Sequence, residues 1–331
     1  MAEPLTLSVW SEDGVRVADV VAALEDLRRP EPMPATRTSV LTLVVVATRA
    51  ASADRALAAL HELGGRHPAR VLTILSDPDA APSDAGIDAS VRLLGGEADG
   101  KEVWFEDVEL CVRDDAARHL DSLIEPFTIA DLPVVVWFVD GLPADDDPLL
   151  AAADVVLVDA RDFGDADCFG SLARVTRRRP VVDLSWQRLQ PWRELLAGLF
   201  EGPDARPFLG DVRSVRVAGR TGPRHLLAGW VADRLRLPSP EVHLVAGEHV
   251  SMRVVAVAPD GRAGTFEVLR RDDERVVRAR ADLEGGPTSE VVVPLPDATP
   301  AWGLATALSR LYRDPVYEHA LRAAVALADR R

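Results

Sequence analysis

The stretch LTLVVVATRAASADRALAALHELGG, residues 41–65, decides the fold class. Its opening run, Leu41 to Ala47, is dominated by β-branched and aliphatic side chains, the composition of a strand covered on both faces in a parallel sheet. Ser52 then reads as the cap of a helix in which Ala56, Leu57, Leu60 and Leu63 recur at helical spacing, and Gly64 and Gly65 stop it. A second valine-rich run, Val71 to Leu75, follows within reach of a βαβ unit.

Working outward, the same alternation continues. Val91–Leu94 and Val103–Val112 read as paired strands joined through GGEADGK, residues 95–101. A helix from Asp114 to about Glu125 leads to the most apolar strand of the chain, Leu132–Val139. Beyond the acidic loop Asp145-Asp146-Asp147 come a strand at Val155–Asp159, a helix at Cys168–Arg178, a short strand at Val181–Leu184 and an amphipathic helix at Ser185–Phe200. Residues 201–211, EGPDARPFLGD, mix Gly, Pro and charge without periodicity and predict a domain boundary. After it, strands at Val212–Val217 and Val250–Ala258 enclose a helix at Pro223–Leu235, and Thr265–Leu269 with Arg275–Ala281 form a hairpin about Asp272-Asp273. Val291–Leu295 reads as one more strand, and helices at Trp302–Leu311 and Pro315–Ala328 close the chain. The expected fold is α/β: a Rossmann-like layered sheet domain over residues 40–205 and a smaller C-terminal α+β domain over residues 206–331. Residues 1–39 are expected to be an extension, with a helix near Val15–Leu27 and a linker carrying Pro30, Pro32 and Pro34. Two domains suit a chain of 331 residues.

Charge narrows the partners. Lys and Arg total 38 against 53 Asp and Glu, a net charge of −15 that disfavours nucleic acid. The acidity is uneven: residues 1–205 carry 19 basic and 37 acidic side chains, whereas residues 206–331 carry 19 and 16. No apolar run approaches a membrane span, and the N-terminal residues lack the cationic and apolar regions of a secretory leader, so a soluble cytoplasmic protein is expected. Cys111 and Cys168 lie far apart without His or Cys at ligand spacing, which points to two buried thiols and to no metal site.

Catalytic templates fail on their chemistry. The segment from Gly95 to Lys101 spells GxxxxGK with the only lysine of the chain, but Glu102 stands where a magnesium-binding hydroxyl is needed, and Glu97 and Asp99 would repel phosphates. The first βα turn, ATRAASAD, has no glycines that would let backbone approach a pyrophosphate, so no nicotinamide cofactor is expected. There is no GxSxG and no HExxH, and His61, His67, His243 and His249 are not spaced as ligands on one face. The acidic runs sit in turns, where Asp bonds its own backbone.

Two segments stand apart. In the first, His67-Pro68-Ala69-Arg70-Val71, a His-Pro turn and an Arg enter an apolar strand. In the second, DLSWQRLQPWRELL at 183–196, Ser185 can cap the helix and Trp186, Leu189 and Arg193 fall on one stripe beside Trp192. Arg188 and Arg193 bring two guanidinium groups to two indoles and Asp183, a composition found at interfaces and anion sites. An internal role, with the tryptophans cementing the helix to the sheet and Asp183 pairing with an Arg, is equally compatible.

Through TLVVVAT (42–48), RHPARV (66–71), ADLPVVVWF (130–138) and above all DLSWQRLQPWRELL, the chain resembles the glucose-6-phosphate dehydrogenase assembly protein OpcA family. The resemblance implies a non-catalytic protein without a cofactor that binds glucose-6-phosphate dehydrogenase and promotes its active assembly, supporting NADPH supply through the oxidative pentose phosphate pathway. The family's His-Pro turn is often followed by Cys where this chain has Ala69, so thiol-based control is not implied here. Residues expected to meet a partner or an anion are His67, Arg70, Asp183, Trp186, Arg188, Trp192 and Arg193, together with Arg278 and Arg280 on the exposed face of the hairpin. Two other readings stay open: a sugar-phosphate-metabolising enzyme such as a lactone hydrolase, and a regulator sensing a phosphorylated metabolite through Arg70 or Arg188.

Overall fold

The computed structural model describes residues 5–29, 36–37, 39–63, 69–79, 86–98, 101–236, 241–270, 275–295 and 299–329. The chain forms two compact units: Met1–Val158 with Arg178–Val182 and Thr299–Tyr312, and Asp159–Arg177 with Asp183–Ala298 and Arg313–Arg331. This differs from the expected division at residues 201–211. The Gly-Pro-charge stretch there is a surface turn inside the second unit, and each unit recruits a distant helix to cover its sheet.

The first unit is built on a nine-stranded sheet. Its strands are β1 (Leu5–Val15), β2 (Thr36–Arg37), β3 (Thr42–Ala47), β4 (Arg70–Asp77), β5 (Ile87–Ala98), β6 (Lys101–Arg113), β7 (Val134–Phe138), β8 (Val155–Val158) and β9 (Val181–Asp183). Helices α1 (Val17–Leu27), α2 (Ala50–Leu63), α3 (Leu120–Ile124) and α4 (Leu149–Ala152) connect them, and α5 (Cys168–Arg178), which up to Arg177 belongs to the second unit, leads back to β9. The strand order is β1-β5-β6-β4-β3-β7-β8-β9, with β2 beside β6. From β6 through β4, β3 and β7 to β8 the pairing is parallel, and β5 joins β6 and β1 antiparallel. Every residue of β3, β7 and β8 is buried, as covered parallel strands require.

Two expectations change here. Residues 5–15, expected within an N-terminal extension, form the edge strand β1, paired antiparallel with β5. Ser52 is not a cap: α2 starts at Ala50, and Ser52 lies buried in its first turn. The proposed stop at Gly64-Gly65, His67 and the Pro30–Pro34 linker lie outside the described residues.

The second unit holds most of α5 and, after β9, α6 (Leu184–Arg188) and α7 (Gln190–Leu199). These divide the single helix expected at 185–200, since Pro191 in the first turn of α7 has no amide to continue the ladder. Then follow β10 (Val212–Gly219), α8 (Thr221–Leu235), β11 (Glu241–Ala246), β12 (Ser251–Val257), β13 (Ala263–Arg270), β14 (Val276–Leu283) and β15 (Ser289–Pro294). Of the last helices, α9 (Pro300–Leu308) belongs to the first unit and α10 (Pro315–Ala328) to the second. The six strands order as β11-β10-β12-β13-β14-β15, antiparallel except for β10 with β11. One face is apolar: Phe266 stacks on Phe200 at 3.9 Å and meets Phe208 edge-on at 5.9 Å between ring centroids. Against this core α8 and α10 pack closely because position 229 has no side chain; a Cβ there would lie 2.2 Å from the Ala320 carbonyl oxygen. Gly229→Val should therefore lower unfolding free energy by about 1–3 kcal/mol, read as a shifted urea midpoint. An unchanged midpoint would mean that the two helices have room to part.

Candidate functional site

The residues singled out in the sequence do converge, but inward. Asp183 ends β9 and caps α6, its Oδ1 accepting from the Ser185 amide at 2.8 Å and the Ala160 amide at 3.2 Å. Its Oδ2 accepts from the Tyr317 hydroxyl at 3.2 Å. Beside it, Asp159 accepts from the Ser185 hydroxyl at 2.6 Å and pairs with Arg188. The Trp186 indole donates to Asp314 Oδ2 at 2.8 Å, and Asp314 also caps α10 through the Val316 and Tyr317 amides. Arg193 lies over the Trp186 ring with its Cζ 3.6 Å from the centroid, and it donates to the Trp186 carbonyl. The Trp192 indole donates to the Val250 carbonyl at 3.1 Å.

Asp183 and Trp186 are each 1% exposed, and Trp192 is 7% exposed. The exposed aromatic surface expected from this segment is thus not formed. Both indoles find acceptors within the second unit, and the apolar bodies of the rings are removed from water.

This enclosure sets the protonation of the cluster. Burial, then the neighbouring charge of Asp159, pushes Asp183 up to about 7, outweighing the two amides and Arg188 that favour its anion. Tyr317 is pushed well above its ordinary value by burial and by Asp183, so it remains a hydrogen-bond donor. The chemistry available at Asp183 is a proton held on a buried carboxyl, while its neighbours Asp159 and Arg188 stay partly exposed.

Arg70 is also internal. It donates to Glu106 Oε2 at 2.6 Å and to the Phe127 carbonyl at 2.6 Å, while Arg28 grips Glu106 from the other side at 2.7 Å. Burial alone would raise Glu106, but Arg70 and Arg28 hold it below the usual carboxylate range. The Arg70 guanidinium is therefore committed to a buried ion pair and is not presented to an external anion.

The crevice in which open α/β sheets bind nucleotides lies where strand order reverses, here between β3 and β7. It is filled from within. Asp140, just past β7, accepts from the amides of Thr48 at 2.8 Å and Arg49 at 3.0 Å and pairs with the Arg49 guanidinium. Against the cost of burial, bonds from Ser52, Arg49 and the two amides hold Asp140 low. It occupies the anion position at the start of α2 where a pyrophosphate would sit. Among the described residues no group of three or more His, Cys, Asp and Glu side chains is placed to hold a metal ion. None of the described helices is long and apolar enough to cross a membrane.

Arg278 and Arg280 do face outward, on β14 opposite the buried Val277, Ala279 and Ala281. Each has an acidic neighbour, Glu290 at 3.2 Å and Asp282 at 2.8 Å. Register places Arg216, Arg253, Glu267, Arg280 and Glu290 in one row across five strands of this face.

Comparison with known proteins gives the family. A model described as the N-terminal domain of a glucose-6-phosphate dehydrogenase subunit matches residues 60–183, and one for the C-terminal domain of that subunit matches residues 179–321. The chain belongs to the OpcA family. The OxPP cycle protein OpcA of Synechocystis is 24% identical over 60% of this chain and 44% of its own length. That of Nostoc punctiforme is 23% identical over 84% of this chain and 62% of its own length. The chain thus spans about half the length of these relatives. A glucose-6-phosphate 1-dehydrogenase structure from Mycobacterium avium matches with a TM-score of 0.46 and 13% identity, over 88% of this chain and 92% of that chain, a likeness from which nothing functional follows. The two OpcA family models overlap at residues 179–183, a stretch that contains β9 and ends on Asp183, the first residue of the longest piece of the second unit.

Sequence reading missed Asp159, Asp314 and Tyr317. The pair Asp314-Pro315 is a visible helix start, but nothing local ties it to Trp186, 128 residues away. Both thiols are pushed up, by burial first and then by nearby acids, Asp88 and Asp13 for Cys111 and Asp165 for Cys168, and so are poor nucleophiles.

Two outcomes follow from the enclosed network. Trp192→Ala should cost about 3–5 kcal/mol, seen in chemical denaturation; a loss within about 0.5 kcal/mol would mark an exposed ring. Because Asp183 titrates near 7 folded and near 3.8 unfolded, the folded state holds the extra proton between those values, and stability from this group falls as pH rises through them. Asp183→Asn, which keeps the shape and cannot ionise, should gain stability relative to the parent as pH is raised from 5 to 8. A pH-independent difference would show that Asp183 is already charged at the lower end.

Proposed function

We propose that this chain is a non-catalytic assembly factor and activator that binds glucose-6-phosphate dehydrogenase and promotes its active form in the oxidative pentose phosphate pathway. The observation that carries this reading is the match of two models, both described as domains of a glucose-6-phosphate dehydrogenase subunit, running from residue 60 to residue 321. The geometry supports it in two ways. The switch-point crevice is taken by Asp140, and Asp183 and Trp186 are buried, so the strongest candidate residues for chemistry are used internally. What faces out is a charged sheet surface, with Arg278 and Arg280 on β14.

An activator acts by binding the competent state of its enzyme more tightly than the incompetent one; equal affinity would shift nothing. Surface side chains of the second unit are the ones available for that discrimination. Dehydrogenase activity should therefore rise on adding this protein, saturating near a fixed molar ratio, with NADPH formation as the readout. No change in rate, substrate affinity or oligomeric state of the dehydrogenase would defeat the reading, and turnover of a sugar-phosphate lactone by this protein alone would replace it.

A further inference from the structure

β15 is an edge of the six-stranded sheet, and its sequence Ser289-Glu290-Val291-Val292-Val293-Pro294 places a large apolar side chain in solvent on each face. Val291 is 48% exposed and Val292 46%. Edge strands are ordinarily guarded by charged side chains, proline, a bulge or covering chain, and β15 has of these one charge, Glu290, and a proline at its last position, Pro294. β15 has no lysine, and its register with β14 runs unbroken from Val276↔Pro294 to Ala281↔Ser289.

Beneath β15, on the side of α7, lies a groove of roughly 410 Å³. Its floor is Ala279, Ala281, Leu283 and Val291, and the small residues Gly198 and Gly202 keep its helical wall low. Only two charged residues line it, Glu194 and Asp204, and both are acidic and exposed. The volume falls in the range of a pocket that takes several side-chain atoms, not a packing defect.

Resting on the activator reading above, we infer that an extended segment of the dehydrogenase, mainly apolar and with a basic residue on its groove-facing side, adds to β15 as a further strand. Strand addition satisfies the outward amides and carbonyls of the edge. The period of two then sends alternate side chains into the groove against Val291 and over Val292 on the opposite face. A basic residue of the added segment meets Glu194 and Asp204 at the rim. A second copy of β15 does not fit this chemistry: between residues 284 and 295 the chain carries Glu284 and Glu290 and no Lys or Arg, so self-pairing would set acid against an acidic rim.

The test compares binding of purified glucose-6-phosphate dehydrogenase to the full chain and to two variants, Glu194→Lys with Asp204→Lys and Val291→Lys, with melting temperature as the control for folding. The rim variant changes only exposed side chains and should melt as the parent does. Each variant is expected to bind about tenfold or more weakly, and the rim variant to lose most of the salt dependence seen with the parent. Parent binding with both variants within about twofold would overturn the groove while leaving the activator reading in place. Absence of binding by the parent would instead overturn that reading. If sedimentation shows a dimer of this chain that Val291→Lys dissociates, the edge is taken by a second copy and the inference fails.

Discussion

The second unit depends on how Asp183 is accommodated. Three separate stretches, 159–177, 183–298 and 313–331, make up this unit, and the Asp183 carboxyl touches all of them: the Ala160 amide, the Ser185 amide and the Tyr317 hydroxyl. Burying an unpaired carboxylate costs several kcal/mol. No cation contacts Asp183 directly, since Arg188 is directed to Asp159. The group instead retains its proton toward neutrality, and as an acid it can serve Tyr317 while still accepting two amides.

The first unit solves the same problem with opposite electrostatics. Glu106, as deeply buried, is held as an anion by Arg28 and Arg70, and Asp140 is held as an anion by two amides and Arg49. Acidification removes the favourable charge state of these two groups, whereas alkalinisation removes that of Asp183. Glu106 and Asp140 in the first unit and Asp183 in the second therefore respond to pH with opposite sign, and these groups favour the chain most where none is forced out of its preferred state. Asp140 has a second consequence. By filling the start of α2 it satisfies amides that a bound phosphate would otherwise satisfy, so the loop after β3 can be ordered without a ligand.

Local pattern carried much of this. The valine runs became β3, β7 and β8, and Cys168–Arg178 and Pro315–Ala328 became helices with the expected bounds. Edge strand β1 was also in plain view as alternation from Leu5 to Val9, masked by its polar continuation Ser11-Glu12-Asp13. What composition does not encode is direction and distance. Indoles beside guanidinium groups suit an interface and an interior equally well, and only the partners Asp314, Tyr317 and Val250, 128, 134 and 58 residues from their counterparts, turn Trp186, Asp183 and Trp192 inward. For the same reason the Gly-Pro stretch at 201–211 suggested a boundary, while the chain passes between the units after residues 158, 177, 182, 298 and 312, where no such composition marks it.

The inward turn of that segment bears on what kinship with the OpcA family can transmit. The residues through which the likeness is most specific, from Asp183 to Leu196, form the clamp between α6, α7 and α10. Asp183, Trp186 and Trp192 are spent on contacts inside the second unit, and of this stretch it is Glu194, on the outer side of α7, that stays exposed. On the activator reading proposed above, discrimination between two states of a dehydrogenase would come from side chains at the surface. The division of labour follows from burial alone: an enclosed network fixes the shape of the six-stranded sheet, and that shape presents the charged face of β14 and the bare edge of β15. Loss of the network would remove both surfaces without altering a residue on either, so a defect in binding implicates a contact residue only where the fold has been shown to persist.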